Sequence, residues 1–126
     1  DLRELAILQI AALSSARYEW TQHVPIAQGA GVRSEQIAAI ERGEISAEHF
    51  SERELAVLDF TTEVVENVGA SDETFNRVAG HLDAREIVEL LVAIGFYMMI
   101  ARIAETVKVD LDEPAGLRIA GAAREQ

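Results

Sequence analysis

Glu19 and His23 stand four residues apart in "YEWTQH", Tyr18 to His23, with the chain's one Trp between them and Pro25 just beyond. In a helix that spacing stacks the two side chains on one face, close enough to share a proton. An imidazole beside a carboxylate that fixes its tautomer is the usual general acid or base at neutral pH. The plainer reading is a surface couple contributing a few tenths of a kcal/mol. Three features weigh toward chemistry. Tyr18 and Trp20 flank the Glu, Glu4 stands in an apolar stretch where it needs a partner, and the Gly29 and Gly31 pair closes the segment.

Carboxylate and imidazole are also metal ligands, but carboxylate-bridged di-iron bundles use Glu-x-x-His, whereas three residues intervene here, and no His-Glu-x-x-His occurs. The expectation is no metal. His49 falls in a loop and His81 near a helix end, both in structural or solvated settings. Arg102 ends an apolar run. It either pairs with Glu105 three residues on, snorkels from an apolar surface, or clamps a substrate carboxylate, and Tyr97 need not share its face. Met98 and Met99 read as core packing.

Composition narrows the partners. Acidic residues number 22 against 11 basic ones, a net charge of -11, and the Lys and Arg are scattered, so nucleic acid and anionic membrane fit poorly. There is no cysteine, which removes a disulfide framework, a thiolate nucleophile and the usual zinc cages. The longest apolar run, "LLVAIGFYMMIA" from Leu90 to Ala101, is shorter than the roughly 18 residues of a membrane span and predicts a buried helix. No signal-peptide pattern opens the chain at Asp1, so the cytoplasm is the expected compartment.

The elements that must position these residues read as all-helical. With 126 residues the chain forms one domain. A first helix over Leu2 to Leu13 is apolar nearly all round, as in an element packed on every side. A second runs from about Ser15 to Gln28, with Pro25 bending it or marking a change of helix. Ser34 is expected to cap a short helix ending near Gly43. Ser51 with Glu54, and Asp83 with Glu86, have capping-box spacing and open helices to about Asn67 and Val107, with a Ser71-capped helix between. From Asp110, "DLDEPAG" breaks helical order and leads into a tail placed to wrap a neighbour. "RELAIL" at Arg3 to Leu8 returns as "RELAVL" at Arg53 to Leu58, and Val32, Ile37 and Ile40 fall on Leu82, Ile87 and Leu90 at the same offset of 50. Two copies are too few for a solenoid and predict a duplicated helical unit whose halves pack together.

"RELAILQIAALSSARYEWTQHVPIAQGAGVRSEQI" and "LLVAIGFYMMIARIAETV" resemble the carboxymuconolactone decarboxylase family, which shares its all-helical fold with the alkylhydroperoxidase-D-like proteins; the likeness spans roughly Leu2 to Asp112. The family's peroxidase branch carries Glu, eleven residues, Cys, two residues, Cys, three residues and His. Glu4 and His23 stand at its outer positions, but Ala16 and Glu19 replace the cysteines, so thiol peroxidase chemistry is excluded. The decarboxylase branch carries Glu, three residues and His before a small residue and Gly, which "EWTQHVPIAQGAG" resembles, with "YEW" a departure.

The resemblance implies an alkylhydroperoxidase-D-like domain over residues 1–112 with a tail over 113–126. It implies a lyase that decarboxylates a small lactone or carboxylic acid, in the setting of aromatic compound degradation. His23 would protonate the enolate, Glu19 would orient the imidazole, Glu4 would back the pair, and Tyr18, Trp20, Tyr97 and Arg102 would bind substrate, with no cofactor. A hydrolase or tautomerase with His23 as base, and a binding module without chemistry, are the rivals. The family's dimers, trimers and hexamers imply a homo-oligomer.

Overall fold

A computed structural model describes residues 2–108, so the tail, and the expectation that it wraps a neighbour, lies outside the described residues. The described residues form six α-helices and no strand: α1 Leu2–Leu13, α2 Arg17–Gly29, α3 Ser34–Arg42, α4 Glu52–Asn67, α5 Asp72–Ala79 and α6 Ala84–Val107. α1 is the central element. Seven consecutive residues, Leu5 to Ala11, are buried, because α2, α3, α4 and α6 pack around it. No polar stripe is needed on such a helix, which accounts for a sequence that is apolar nearly all round apart from Arg3, Glu4 and Gln9.

The internal repeat is present in the architecture. α1 and α4 begin at Leu2 and Glu52, α2 and α5 end at Gly29 and Ala79, and α3 and α6 begin at Ser34 and Ala84, each 50 residues apart. The repeated apolar positions are all buried: Val32, Ile37 and Ile40 in the first unit, Leu82, Ile87 and Leu90 in the second. α1 packs most closely against its counterpart α4, joined at the polar level by Gln9 donating to the Thr62 hydroxyl at 2.9 Å.

Local chemistry sets the helix ends. The Ser51 hydroxyl accepts from the Glu54 N–H while the Glu54 carboxylate accepts from the Ser51 N–H, and Asp83 with Glu86 repeats the box. Ser71 accepts from the Thr74 N–H. At α3 the expectation fails by one position. Ser34 is already helical, Arg33 is the cap, and its N–H goes to the Gln36 side chain at 3.1 Å. Gln36 is buried and donates also to the His49 carbonyl and the Glu54 carboxylate, so it ties α3 to the following loop and to α4. α3 ends at Gly43, whose φ of 72° is the left-handed cap that glycine adopts without a Cβ penalty.

α2 starts at Arg17, two residues later than expected, and continues through Pro25 to Gly29. The larger departure is α6. Of the apolar run expected to be buried, only Leu90, Ile94 and Ala101 are, while Leu91, Val92, Phe96 and Met99 are exposed. Met98 packs on the core as expected and Met99 does not. One side of α6 is spent against α1, α2, α4 and α5, and nothing in the described residues covers the other.

Candidate active site

α2 carries both members of the pair. Its N-cap, Ala16, supplies no side-chain cap, and Glu19 lies in the first turn. A carboxylate there interacts well with the helix dipole, yet burial outweighs this. Glu19 is 2 % exposed and neither carboxylate oxygen has a hydrogen-bond partner. Burial pushes its pKa up to about 7, with neighbouring His23 opposing the rise and Glu105 on α6 adding to it. Glu19 therefore holds a proton over part of the neutral range.

His23, one turn further along, is partly buried and is held from another helix. Its Nδ1 lies 3.3 Å from Oε2 of Glu4 on α1. The orienting carboxylate is thus Glu4, not Glu19, and the polar group that α1 could not leave unpartnered has found its partner. With Glu4 ionised, Nδ1 carries the proton and donates it, leaving Nε2 as the acceptor. Tyr97 of α6 fixes the ring from another side, edge-on at a centroid distance of 5.1 Å. Tyr97 in turn accepts a 3.4 Å hydrogen bond from Arg3. The central triangle is Glu4, His23 and Tyr97, with Glu19 beside it.

The other expected site residues divide. Tyr97 also lines a cleft of about 1020 Å³ between the starts of α1 and α4 and the first half of α6. Trp20 packs against the core and lines a separate, smaller cleft of about 330 Å³ with Arg17 and Thr21. Tyr18 is partly buried. Arg102 is exposed, lines neither cleft and forms no ion pair with Glu105, so the structure does not bring it to the site. Neither cleft is lined by Glu4, Glu19 or His23 themselves. The arginines facing the larger cleft are Arg3 and Arg53, the leading residues of the two "RELA" repeats, and the repeat was the signal that could have singled them out.

The first half of the chain decides the relationship: residues 1–63 match the model of the carboxymuconolactone decarboxylase family. The chain belongs to that family. No curated protein matches the sequence. As a carboxymuconolactone decarboxylase family member, the chain has a similar fold in a crystal structure of a protein of unknown function from Agrobacterium tumefaciens, whose description suggests an AhpD antioxidant defence protein. The two are 24% identical with a TM-score of 0.81, over 88% of this chain and 77% of that one. The family motif with cysteine is not available to this member, whose site is built from carboxyl, imidazole and phenol groups.

Proposed function

We propose that the chain is a lyase of the carboxymuconolactone decarboxylase type, acting on a small lactone or carboxylic acid by proton transfer through His23 and Glu19 without a cofactor. The observation that carries this reading is a buried, unpartnered Glu19 one helical turn from an imidazole held by Glu4. A carboxyl group that keeps a proton near neutral pH, next to a group that can pass one on, is a general-acid arrangement. In the reaction, the bond from the ring carbon to the carboxylate carbon breaks and carbon dioxide leaves. The electron pair moves into the conjugated carbonyl as an extended enolate. His23 acts in its imidazolium form: with Nδ1–H held by Glu4, it delivers the proton on Nε2 to carbon, and Glu19 and then solvent restore that proton. The substrate's own carbonyl is the electron sink.

Tyr97, which touches both His23 and the larger cleft, is the proposed contact between the acid and the substrate seat, whereas Trp20 and Tyr18 lie outside that cleft. Arg3 takes the carboxylate-binding role in place of Arg102. The setting is cytoplasmic, and the working form is a homo-oligomer, supported by the uncovered apolar side of α6.

Purified protein is incubated with carboxymuconolactone while carbon dioxide release and lactone loss are followed, with His23→Ala beside it. Release that the variant loses supports the donor role. No release by either removes the decarboxylase reading. A second reading, hydrolase or tautomerase, is favoured by the Glu4 contact to Nδ1, which leaves Nε2 free to act as a base. Lactone loss without carbon dioxide distinguishes it.

A further inference from the structure

The larger cleft has an apolar floor and a guanidinium at each end. Glu86, Leu90, Ala93 and Tyr97 of α6 all line it at spacings of four, three and four residues, so they form one row along the helix. Leu5 of α1 and Val57 of α4, both buried, supply apolar wall. Arg3 donates to the Tyr97 hydroxyl at 3.4 Å, and Arg53 lies 3.9 Å from Oε2 of Glu86. Since the eleven residues from Glu86 to Tyr97 rise ~16 Å, the two guanidinium groups stand roughly 10–16 Å apart across mostly apolar surface.

Three glutamates also line the cleft, and each is already engaged by its own chain. Glu54 accepts from the Ser51 N–H and the Gln36 amide, Glu86 from the Asp83 N–H, and Glu89 from Arg85. Arg53 differs. Its contact to Glu86 is beyond hydrogen-bond distance, and among the described residues its guanidinium makes no hydrogen bond. A planar fork of unused donors at the end of an apolar cleft suits a carboxylate, which it can hold bidentately. An ammonium group drawn to Glu86 or Glu89 would instead lie beside Arg53 or Arg85. At about 1020 Å³ the cleft is at the upper end of ligand pockets, and a compact lactone seated at Tyr97 leaves Arg53 out of reach.

We propose that the cleft selects an elongated acid with a carboxylate at each end of an apolar chain, and that Arg53 is the specificity residue for the far carboxylate. This rests on the reading of the cleft as the substrate seat, with Arg3 holding the carboxylate nearer His23, and adds a length requirement that the lyase reading does not contain.

Isothermal titration calorimetry of the unaltered chain with dodecanedioate, adipate and dodecanoate reads binding without turnover. Dodecanedioate is long enough to span the two arginines, adipate is too short, and dodecanoate lacks the second charge. On a chain of net charge -11, a second carboxylate weakens binding that is merely apolar. Dodecanedioate is nevertheless expected to bind at least about tenfold tighter than either of the others. Arg53→Gln, at a half-exposed position, should keep the helical circular dichroism and bring dodecanedioate to within about twofold of dodecanoate, whose own affinity stays unchanged. Dodecanedioate binding no tighter than dodecanoate overturns the proposal, as does a preference that survives Arg53→Gln. Tighter binding of dodecanediamine than of dodecanedioate also overturns it, and gives the cleft ends to Glu86 and Glu89. A chain that shows the preference but releases no carbon dioxide keeps this proposal and loses the lyase reading; carbon dioxide release without the preference does the reverse.

Discussion

His23 presents Nδ1 to Glu4 on the neighbouring helix at 3.3 Å, and leaves Glu19, one turn back on its own helix, without a hydrogen bond at either oxygen. An ionised Glu4 can only accept, so it selects the tautomer with the proton on Nδ1. Nitrogen-15 spectra of neutral His23 are expected to report Nδ1–H in the unaltered chain. In Glu4→Leu the selection is gone, and the population should move toward Nε2–H. Unchanged nitrogen shifts in that variant would show that Glu4 does not set the tautomer.

Glu19 makes stability depend on pH with a definite sign. Its carboxyl is raised from 4.5 to about 7 in the folded chain, so between those values the native state binds the proton that the unfolded state has released. The contribution is fully present below about pH 4.5 and is lost as pH rises through about 7, amounting to a few kcal/mol. Urea midpoints at pH 5.5 and pH 8 should differ in this direction for the unaltered chain. The difference should shrink in Glu19→Gln, which cannot ionise. An equal difference in both proteins would place the pH dependence elsewhere.

The helix order, the two capping boxes and the 50-residue repeat were legible because each rests on local chemistry or on residues that repeat in register. Glu19 and His23 were legible as a pair by spacing alone. Spacing could not show that Glu4 and Tyr97 reach His23 from α1 and α6, because it carries no information about what another helix brings; Glu4 entered only through its apolar setting and the family resemblance. α6 departs from the sequence expectation for a related reason. An apolar run states that a helix avoids water, not which body covers it, and here the domain's own core takes only one side of the helix. Ser34 misled because serine before a helical pattern is the common cap, whereas Gln36 receives the Arg33 N–H instead.

That difference at the caps is measurable. Ser51→Ala removes the hydroxyl that accepts the Glu54 N–H at the start of α4 and should destabilise the chain by about 1 kcal/mol. Ser34→Ala, at an exposed position with no capping bond, should stay within ~0.5 kcal/mol of the unaltered chain. Chemical denaturation of the two variants side by side tests this; equal losses would return the cap of α3 to Ser34.

Tyr97 separates two roles in one side chain. Its ring edge fixes His23, while its hydroxyl accepts the long bond from Arg3 at the margin of the larger cleft. Tyr97→Phe keeps the ring, loses a partly solvated 3.4 Å bond, and should cost under ~1 kcal/mol of stability. Tyr97→Ala removes a half-buried aromatic from the core wall formed with Ile94 and should cost roughly 2 kcal/mol or more. On the decarboxylase reading, Tyr97→Phe should retain turnover and Tyr97→Ala should lose it at temperatures where the variant is still folded by circular dichroism, because the imidazole is then free to rotate away. Turnover lost equally in both variants would instead assign the hydroxyl, with Arg3, to holding the substrate.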